Sequence, residues 1–357
     1  MTTAALHSMQ LPRPIQEEQV EPLLASDGFS FRRVFYPMGF AVEIETNQAE
    51  ILAAAEESWG EQDAIAVPRQ IAGALKLRVG VTPSSSSECP PKTSVRANGH
   101  LLSIIADIEN FSVCDLQQGV AFGWVTEAAL HHRHYLRYHF LEATVMCLLT
   151  GSRVTPVHAA CVSLNGFGLL LCGESGAGKS TLAYACARAG WALTTDDASY
   201  VVWHSDQPHV RGNAHQVRFR PSARDLFPEI RDRELTPRTD GKPSIEVPTS
   251  ELPGIVKAPQ AVVHAILLLK RRAEATVELR EVDRRTVLPH LEGSLYPLEG
   301  IRQRQAAALT SLDGVALYEF HYRDLDCAIA QLEALTEALA KTSPEARQTD
   351  DNTRTFA

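Results

Sequence analysis

The sequence predicts a mixed α/β fold of α+β character, in which an N-terminal region of strands and helix precedes a unit built around a glycine-rich loop. The apolar run Gly168-Leu-Leu-Leu-Cys172 is typical of a short buried strand. A helix-like run over residues 180–189 follows it and is closed by Gly190, a residue that commonly ends helices. Further strand-like segments precede this unit, over residues 31–45, 69–81 and 93–124.

The segment between this strand and this helix fits the pattern G-x-x-x-x-G-K-[ST]. We call it the glycine loop, and its residues are Gly173, Glu174, Ser175, Gly176, Ala177, Gly178, Lys179, Ser180 and Thr181. Glycines lack a Cβ and let a phosphate ester approach the backbone, whose N–H groups lie at the positive end of the helix. Lys179 adds a charge for the β and γ phosphates, and Ser180 offers a hydroxyl to Mg²⁺. The pattern therefore predicts ATP and Mg²⁺ as ligands, against the alternative of an ordinary glycine-rich turn.

A β-hairpin is predicted immediately before the glycine loop. Asn165-Gly166 is a favoured two-residue turn, and apolar strand-like runs flank it on both sides. With these two residues at the centre of the turn, Leu164 faces Phe167, and the same register carries His158 opposite Gly173. At that position His158 would stabilise a transferred phosphoryl group or carry a proton. The alternative is a histidine that only packs.

Two adjacent acids end the next predicted strand, which covers residues 191–195. Asp196 and Asp197 suit a magnesium nucleotide, because one can hold the metal while the other accepts a proton from an incoming hydroxyl. Two carboxylates near a phosphate repel each other and the nucleotide unless a cation is present, so the pair implies Mg²⁺. The alternative is a solvated turn. The sequence leaves open which of the two would be the base.

These features together resemble the C-terminal domain of the HPr serine kinase/phosphorylase family, whose nucleotide fold is related to that of phosphoenolpyruvate carboxykinase. The resemblance covers residues 158–202: a histidine before a hairpin, a Gly-Lys-Ser loop, and an acidic pair after the next strand. It implies catalytic roles for His158, Lys179, Asp196 and Asp197, and metal contacts for Ser180, Asp196 and Asp197. It also implies transfer of the γ-phosphate of Mg-ATP to a hydroxyl, in particular a serine of a small carrier protein or peptide.

The chain differs from the family pattern at three places. Thr181 follows the Lys-Ser pair where the family usually has an acid. The element Glu-x-Arg-Gly-x-Gly, which in the family helps to serve metal and substrate, is reduced to Val210-Arg211-Gly212-Asn213. The first 150 residues do not match the family's N-terminal domain. Two alternatives therefore stay open: an ATP-binding regulatory module with little or no kinase activity, and a small-molecule kinase or carboxykinase-like enzyme.

The predicted organisation has four parts, which are a flexible arm (residues 1–28), an N-terminal α+β region (29–125), the kinase-like domain (126–341) and a disordered tail (342–357). Four further elements are predicted: a helix capped by Thr46 or Asn47 and ending near Ser58, a long helix over residues 126–150, a buried strand over 262–270, and a C-terminal helix over 325–340 capped by Asp324. An apolar stripe on the long helix includes Leu130, Leu141, Val145 and Leu148.

Composition excludes several classes. The net charge of −9 disfavours a nucleic-acid partner, and no apolar run reaches the length of a membrane span. No signal peptide and no C-x-x-C pair is apparent, so we expect a cytoplasmic protein without a zinc or disulfide framework. A homo-oligomer stays open as a further partner.

Other polar residues are weaker candidates. Arg218 or Lys242 could contact a phosphate or an acidic substrate, with an ordinary surface charge as the favoured alternative. The histidines 131, 132, 134 and 139 lie on the predicted long helix, but no acidic residue completes a familiar metal spacing with them, so metal binding is not predicted there.

Overall fold

The computed structural model describes residues 28–60, 73–235, 243–271 and 277–342, and within them the chain has a mixed α/β fold with several sheets. Several sequence predictions fall outside the described residues: nearly all of the arm and of the tail, the beginning of the 69–81 strand, and Lys242. The four-part domain division stays a prediction. No helix of the described ranges combines the length and the apolar character that crossing a membrane requires.

The N-terminal region is a seven-stranded mixed sheet with helical segments packed on it. Its elements are β1 (Phe31–Phe35), β2 (Val42–Thr46), α1 (Ala49–Trp59), β3 (Leu75–Thr82), β4 (Ser94–Asn98), β5 (Leu101–Ile105), β6 (Phe111–Asp115), β7 (Val120–Thr126), α2 (Glu127–His131), a π-helix (Tyr135–Glu142) and α3 (Ala143–Ser152). The strand order is β1-β2-β3-β7-β6-β5-β4. The pairs β2–β3 and β3–β7 are parallel, and the remaining pairs are antiparallel.

Two predictions about this region are wrong, one because of a contact distant in the chain and one because of a local turn. Helix α1 is not capped by Thr46 or Asn47, because its N-cap is Gln48. The Asn47 side chain instead bonds across to β3, where its amide donates to the Val81 carbonyl (2.9 Å) and its oxygen accepts from the Val81 N–H (2.8 Å). The run over residues 31–45 is also divided into two strands by a turn at Pro37–Gly39, in which Met38 has a φ of 50°.

The predicted long helix is broken into α2, the π-helix and α3. His132 leaves the helical region (φ −105°, ψ 72°), and its ring Nε2 lies 2.9 Å from the Ser87 carbonyl oxygen. The break therefore depends on a loop 45 residues away in the chain. The predicted apolar stripe is buried at Leu141, Val145 and Leu148, which join the core of the first sheet.

The second half of the chain is built on a ten-stranded sheet. Its elements are β8 (Val154–Val157), β9 (Ala160–Leu164), β10 (Phe167–Cys172), α4 (Lys179–Arg188), β11 (Ala192–Thr195), β12 (Ser199–Val202), β13 (His209–Arg211), β14 (Gln216–Phe219), β15 (Ile245–Pro248), β16 (Val256–Lys257), β17 (Gln260–Arg271), β18 (Glu278–Glu281), α5 (Arg284–Glu292), α6 (Glu299–Ala308), β19 (Ala316–Tyr322) and α7 (Leu325–Thr342). The order is β16-β11-β9-β10-β17-β13-β12-β8, β19 pairs with β17 and β18, and β14 and β15 form a separate two-stranded antiparallel sheet.

The hairpin before the glycine loop is confirmed. Strands β9 and β10 are antiparallel with Leu164 opposite Phe167, and Asn165 (φ 51°) and Gly166 (φ 87°) both have the positive φ of a type I′ turn. The predicted buried strand and C-terminal helix are confirmed as β17 and α7. The Asp324 carboxylate accepts the Cys327 N–H at 2.9 Å and so caps α7 as predicted.

Strand β10 is buried on both faces, as its continuous apolar run requires. Leu169 and Leu171 pack in the cluster that contains Leu182 of α4, whereas Leu170 and Cys172 pack in the cluster that contains Val287 of α5. Each buried leucine contributes roughly 1.5–3 kcal/mol to folding. This two-sided burial fixes the end of β10, from which the glycine loop emerges.

Candidate functional site

The glycine loop connects the end of β10 to the first turn of α4, and its three glycines all have positive φ. The values are 149° at Gly173, 88° at Gly176 and 97° at Gly178. A Cβ on Gly178 would lie 2.4 Å from the Oη of Tyr322, which donates a hydrogen bond to the Ala177 carbonyl (3.0 Å). The loop conformation therefore requires glycine, both for its backbone angles and for the close contact at Gly178.

The Lys179 side chain folds back over this loop. Its Nζ donates to the carbonyl oxygens of Gly173 (2.7 Å) and Glu174 (3.3 Å), and the residue is buried. Burial lowers the pKa of this ammonium, and the nearby Asp197 carboxylate partly offsets that effect. Residues 174–176 are exposed, while Ser180 and Thr181 are half-buried. The first amides of α4 have no acceptor within the helix, so this end of α4 offers unused N–H donors to an anion.

His158 lies beside the acidic pair, although not on the predicted strand. The ladder of β9 and β10 ends at Ala160, and His158 is in a bend after β8, where the Ala159 N–H donates to the Val157 carbonyl (2.9 Å). The strand register opposite Gly173 is therefore wrong. The bend nevertheless brings His158 Nδ1 to 3.3 Å from an Asp197 carboxylate oxygen. Burial and the Lys179 charge lower the pKa of His158, and Asp197 opposes them.

The two aspartates have different surroundings. Asp197 is partly exposed beside His158, whereas Asp196 is buried and its carboxylate accepts the Arg218 N–H of β14 at 2.9 Å. Burial raises the pKa of Asp196 to about 7, the Asp197 charge adds to that rise, and the hydrogen bond from Arg218 opposes it. Asp196 is thus held in the protein interior by its hydrogen bond. Asp197 lies beside His158, and its charge also acts on Lys179.

The oxygen donors here fit Mg²⁺ held jointly by protein and phosphate. Ser180, Asp196 and Asp197 supply a hydroxyl and two carboxylates, which are hard oxygen ligands. Within the described residues no group of three or more histidine, cysteine, aspartate or glutamate side chains could hold a metal ion by itself. Mg²⁺ usually binds one or two carboxylates together with substrate phosphates, so this sparse set is appropriate for it. Burial is the main cause of the raised Asp196 pKa, and the neighbouring Asp197 carboxylate adds to it. A cation would offset the charge of the two acids.

No sequence pattern predicts the cavity of about 620 Å³ that we call the interface cavity. One wall comes from the second half of the chain and includes Asp196, Asp197, Tyr200, Asn213, His215, Gln216, Arg218, Ser250 and Lys257. The other comes from the N-terminal region and includes Met38, Glu56, Glu57, Ser58, Trp59, Arg137, Tyr138 and Glu142. Both acids of the pair line this cavity.

The Val210–Asn213 element joins the two walls. Arg211 is buried, and its guanidinium donates to the Met38 carbonyl and to Gln260 Oε1 (3.2 Å) and lies 5.0 Å from the centre of the Phe40 ring. Burial lowers its pKa to about 10, so it remains charged at neutral pH. A Cβ on Gly212 would lie 2.5 Å from the Thr195 Cβ, which shows how closely this element packs on the end of β11. No sequence pattern pairs Arg211 with residue 38, which explains why this contact was missed.

The remaining candidates lie elsewhere or have other partners. Arg218 is in the interface cavity and pairs with Glu246 (3.0 Å). Among the histidines of the broken helix, the His132 ring contacts the Ser87 carbonyl, His134 stacks on Tyr138, and His139 stacks on Tyr135.

Comparison with known proteins gives one informative result. No family model matches the chain, and no curated protein matches it. Among solved structures, the HPr(Ser) kinase/phosphatase from Coxiella burnetii is similar, with 14% identity, 51% of this chain and 98% of that chain covered, and a TM-score of 0.28. At these values the functional conclusion must rest on the residue geometry.

Proposed function

We propose that the chain is an ATP-dependent phosphotransferase of the HPr-kinase-like type, which transfers the γ-phosphate of Mg-ATP to a hydroxyl group. One observation carries this proposal: the acidic pair lies between the glycine loop and the interface cavity. Asp197 is 3.3 Å from His158 and interacts with Lys179 of the loop, and both Asp196 and Asp197 line the cavity. A donor phosphate and an acceptor could therefore meet at these carboxylates.

The glycine loop is the proposed nucleotide site. Residues 173–181 would surround the phosphates with backbone N–H groups at the N-terminus of α4, a ten-residue helix. Lys179 now bonds two loop carbonyls, and its ammonium would turn to the β and γ phosphates when nucleotide binds. His158 and Lys179 would offset the charge of the transferred group.

Magnesium would be held by Ser180 and Asp197 together with phosphate oxygens, which leaves the Asp196 carboxylate for the acceptor. When bound, the ion neutralises phosphate charge and orients the γ-phosphate. The His158 ring beside Asp197 limits the directions in which that carboxylate can turn. The position of Asp197 beside His158 and near Lys179 supports its assignment as the acid nearer to the phosphates.

Asp196 is the proposed proton acceptor. Its carboxylate is fixed by the Arg218 N–H, lines the interface cavity, and has a pKa raised to about 7 by burial. A general base works best when its pKa lies near the working pH, because it is then deprotonated and still basic enough to take a proton. The geometry thus supports a division of roles that the sequence leaves open.

The test is γ-phosphate release and transfer by the parent, Asp196→Asn and Asp197→Asn. Loss of a general base typically costs ~10²–10⁴-fold in rate. We expect both variants to be slow and Asp196→Asn to retain Mg-ATP binding, with Asp206→Asn, an exposed aspartate, as the matched control. Unchanged turnover in both variants would contradict the mechanism. The alternative of a regulatory module is favoured if the parent binds Mg-ATP but transfers its phosphate to no acceptor.

A further inference from the structure

We propose that the interface cavity is the acceptor site and that its acceptor is a small neutral polyol instead of a serine on a folded carrier protein. This inference rests on the proposed phosphotransferase function and adds the substrate class. It follows from where the cavity lies, how large it is and which charges line it.

The position of the cavity relative to the acidic pair separates donor from acceptor. Asp196 and Asp197 line the cavity, whereas Lys179, His158 and the rest of the glycine loop are absent from its described lining. A hydroxyl in the cavity could contact the two carboxylates without contacting the loop. The cavity is therefore placed to hold an acceptor and not the nucleotide.

The size and the walls of the cavity favour a small molecule. Its volume of about 620 Å³ lies within the ~300–1,000 Å³ typical of small-ligand sites. The N-terminal region forms a second wall through the end of α1 and through the π-helix, and Arg211 holds the Met38 turn against the other wall. A folded partner instead needs an open face of ~800 Å² on each protein. The second wall narrows the approach of such a partner to Asp196.

The charges around the cavity are close to balance. Five carboxylates (Glu56, Glu57, Glu142, Asp196 and Asp197) and three cations (Arg137, Arg218 and Lys257) line it. Arginines outside the lining pair with two of these carboxylates: Arg33 Nη2 lies 2.7 Å from Glu56, and Arg133 Nη2 lies 2.9 Å from Glu57. Because neither sign of charge dominates, the lining suits an uncharged polar acceptor.

The uncharged lining groups suit hydroxyl recognition. Ser58 Oγ donates to Glu142 Oε1 (2.8 Å) and accepts from Arg137 Nε (3.0 Å), which fixes the Glu142 carboxylate against the cavity wall. The amides of Asn213 and Gln216 can both donate and accept. Aromatic rings in the lining, from Trp59, Tyr138 and Tyr200, provide apolar faces for the carbon skeleton of a polyol.

The reaction balances without any further reagent. The acceptor oxygen forms a bond to the γ-phosphorus, and the bond from that phosphorus to the β–γ bridging oxygen breaks, leaving ADP with the electron pair. The hydroxyl proton passes to Asp196 and then to solvent. The products are a phosphate monoester, ADP and a proton.

The experiment measures transfer of labelled γ-phosphate to two groups of probes. The small probes are glycerol, myo-inositol and glucose; the protein-type probes are a serine peptide and folded HPr. Ser250→Trp and Asn213→Trp introduce bulk from exposed positions of the cavity rim. Ser94→Trp and Asn98→Trp, exposed on β4, are the matched controls. We expect transfer to a small probe, reduced at least tenfold by the two cavity variants and unchanged in the controls.

A second readout separates this inference from the proposed function. Thermal stabilisation by Mg-ATP should be the same in Ser250→Trp as in the parent. Transfer to the peptide or to HPr alone, transfer to no small probe, or equal small-probe rates in Ser250→Trp and the parent overturns the inference, with Mg-ATP stabilisation retained in each case. Absence of thermal stabilisation of the parent by Mg-ATP instead counts against the proposed function. In that case the cavity is tested by thermal unfolding with the small probes, which should stabilise the parent more than they stabilise Ser250→Trp.

Discussion

The glycine loop and the interface cavity, which meet at the acidic pair, are built in opposite ways. The loop and its hairpin are made by neighbours in sequence: Leu164 faces Phe167 across a two-residue turn, and three glycines shape the nine residues that follow β10. The cavity is made by residues far apart in the chain, such as Met38, Glu142 and Asn213. The proposed donor side is therefore encoded locally, whereas the proposed acceptor side depends on how the N-terminal region packs.

Gly178→Ala should have the largest effect, and that effect should be confined to the glycine loop. The new Cβ would lie 2.4 Å from the Tyr322 hydroxyl, and the backbone φ of 97° is unfavourable for alanine. We expect a loss of about 2–4 kcal/mol in the free energy of unfolding from strain and overpacking. Gly176→Ala, with a similar φ of 88° and no atom within 4 Å, is the control and should lose only about 1–2 kcal/mol. Equal losses in urea titrations of both variants would show that the Tyr322 contact is unimportant.

Asp196→Asn should stabilise the nucleotide-free protein while it stops catalysis. The pKa of Asp196 is raised to about 7, so between pH ~4 and pH 7 the folded state holds a proton that the unfolded state has lost. Parent stability therefore falls as pH rises through that window. Asn keeps an oxygen for the Arg218 N–H and carries no charge. We expect a gain over the parent that grows up to pH 7, to about 1–3 kcal/mol, and is constant above it.

The measurement is the free energy of unfolding at pH 4, 5.5, 7 and 8.5, with Asp206→Asn as the exposed control. A gain that is the same at every pH would show that Asp196 does not titrate in this window.

Arg211→Met should weaken binding of the acceptor in the interface cavity and leave nucleotide binding at the glycine loop unchanged. The substitution keeps side-chain bulk but removes the donors to the Met38 carbonyl and to Gln260, so the Met38 turn loses its tie to the second half of the chain. We expect the KM for the acceptor to rise about tenfold, equivalent to ~1.4 kcal/mol, with the Kd for Mg-ATP unchanged. A parallel weakening of Mg-ATP binding would mean that the two sides are not independent.

Gly166→Ala should have the smallest effect. The turn residue has a φ of 87° but no atom within 4 Å of its missing Cβ, so only backbone strain is added. We expect a loss of about 1 kcal/mol in thermal unfolding and no change in the stabilisation given by Mg-ATP. If Mg-ATP no longer stabilises the variant, the hairpin turn also affects nucleotide binding at the glycine loop.

The accuracy of the sequence predictions follows the same division. The hairpin, β10, β17 and the Asp324 cap of α7 were predictable, because apolar runs, turn residues and caps act over a few residues. The predicted cap of α1 was wrong, and the Asn47 side chain bonds to Val81 instead. The prediction of one long helix was also wrong, and at the break the His132 ring contacts the Ser87 carbonyl. His158 was expected on a strand but lies in a bend. The first two errors involve contacts between residues 34 and 45 positions apart in the chain, which no local pattern encodes.

The central claim is that the glycine loop holds the phosphates of a nucleotide, and calorimetric titration of Mg-ATP into three proteins tests it most directly. The parent should bind, and Lys179→Ala, which removes the ammonium buried over the loop, should lower the affinity at least tenfold, or ~1.4 kcal/mol. Lys76→Ala, an exposed lysine on β3, should bind like the parent. Absence of binding by the parent at millimolar Mg-ATP, or equal affinity in the parent and Lys179→Ala, would contradict the claim.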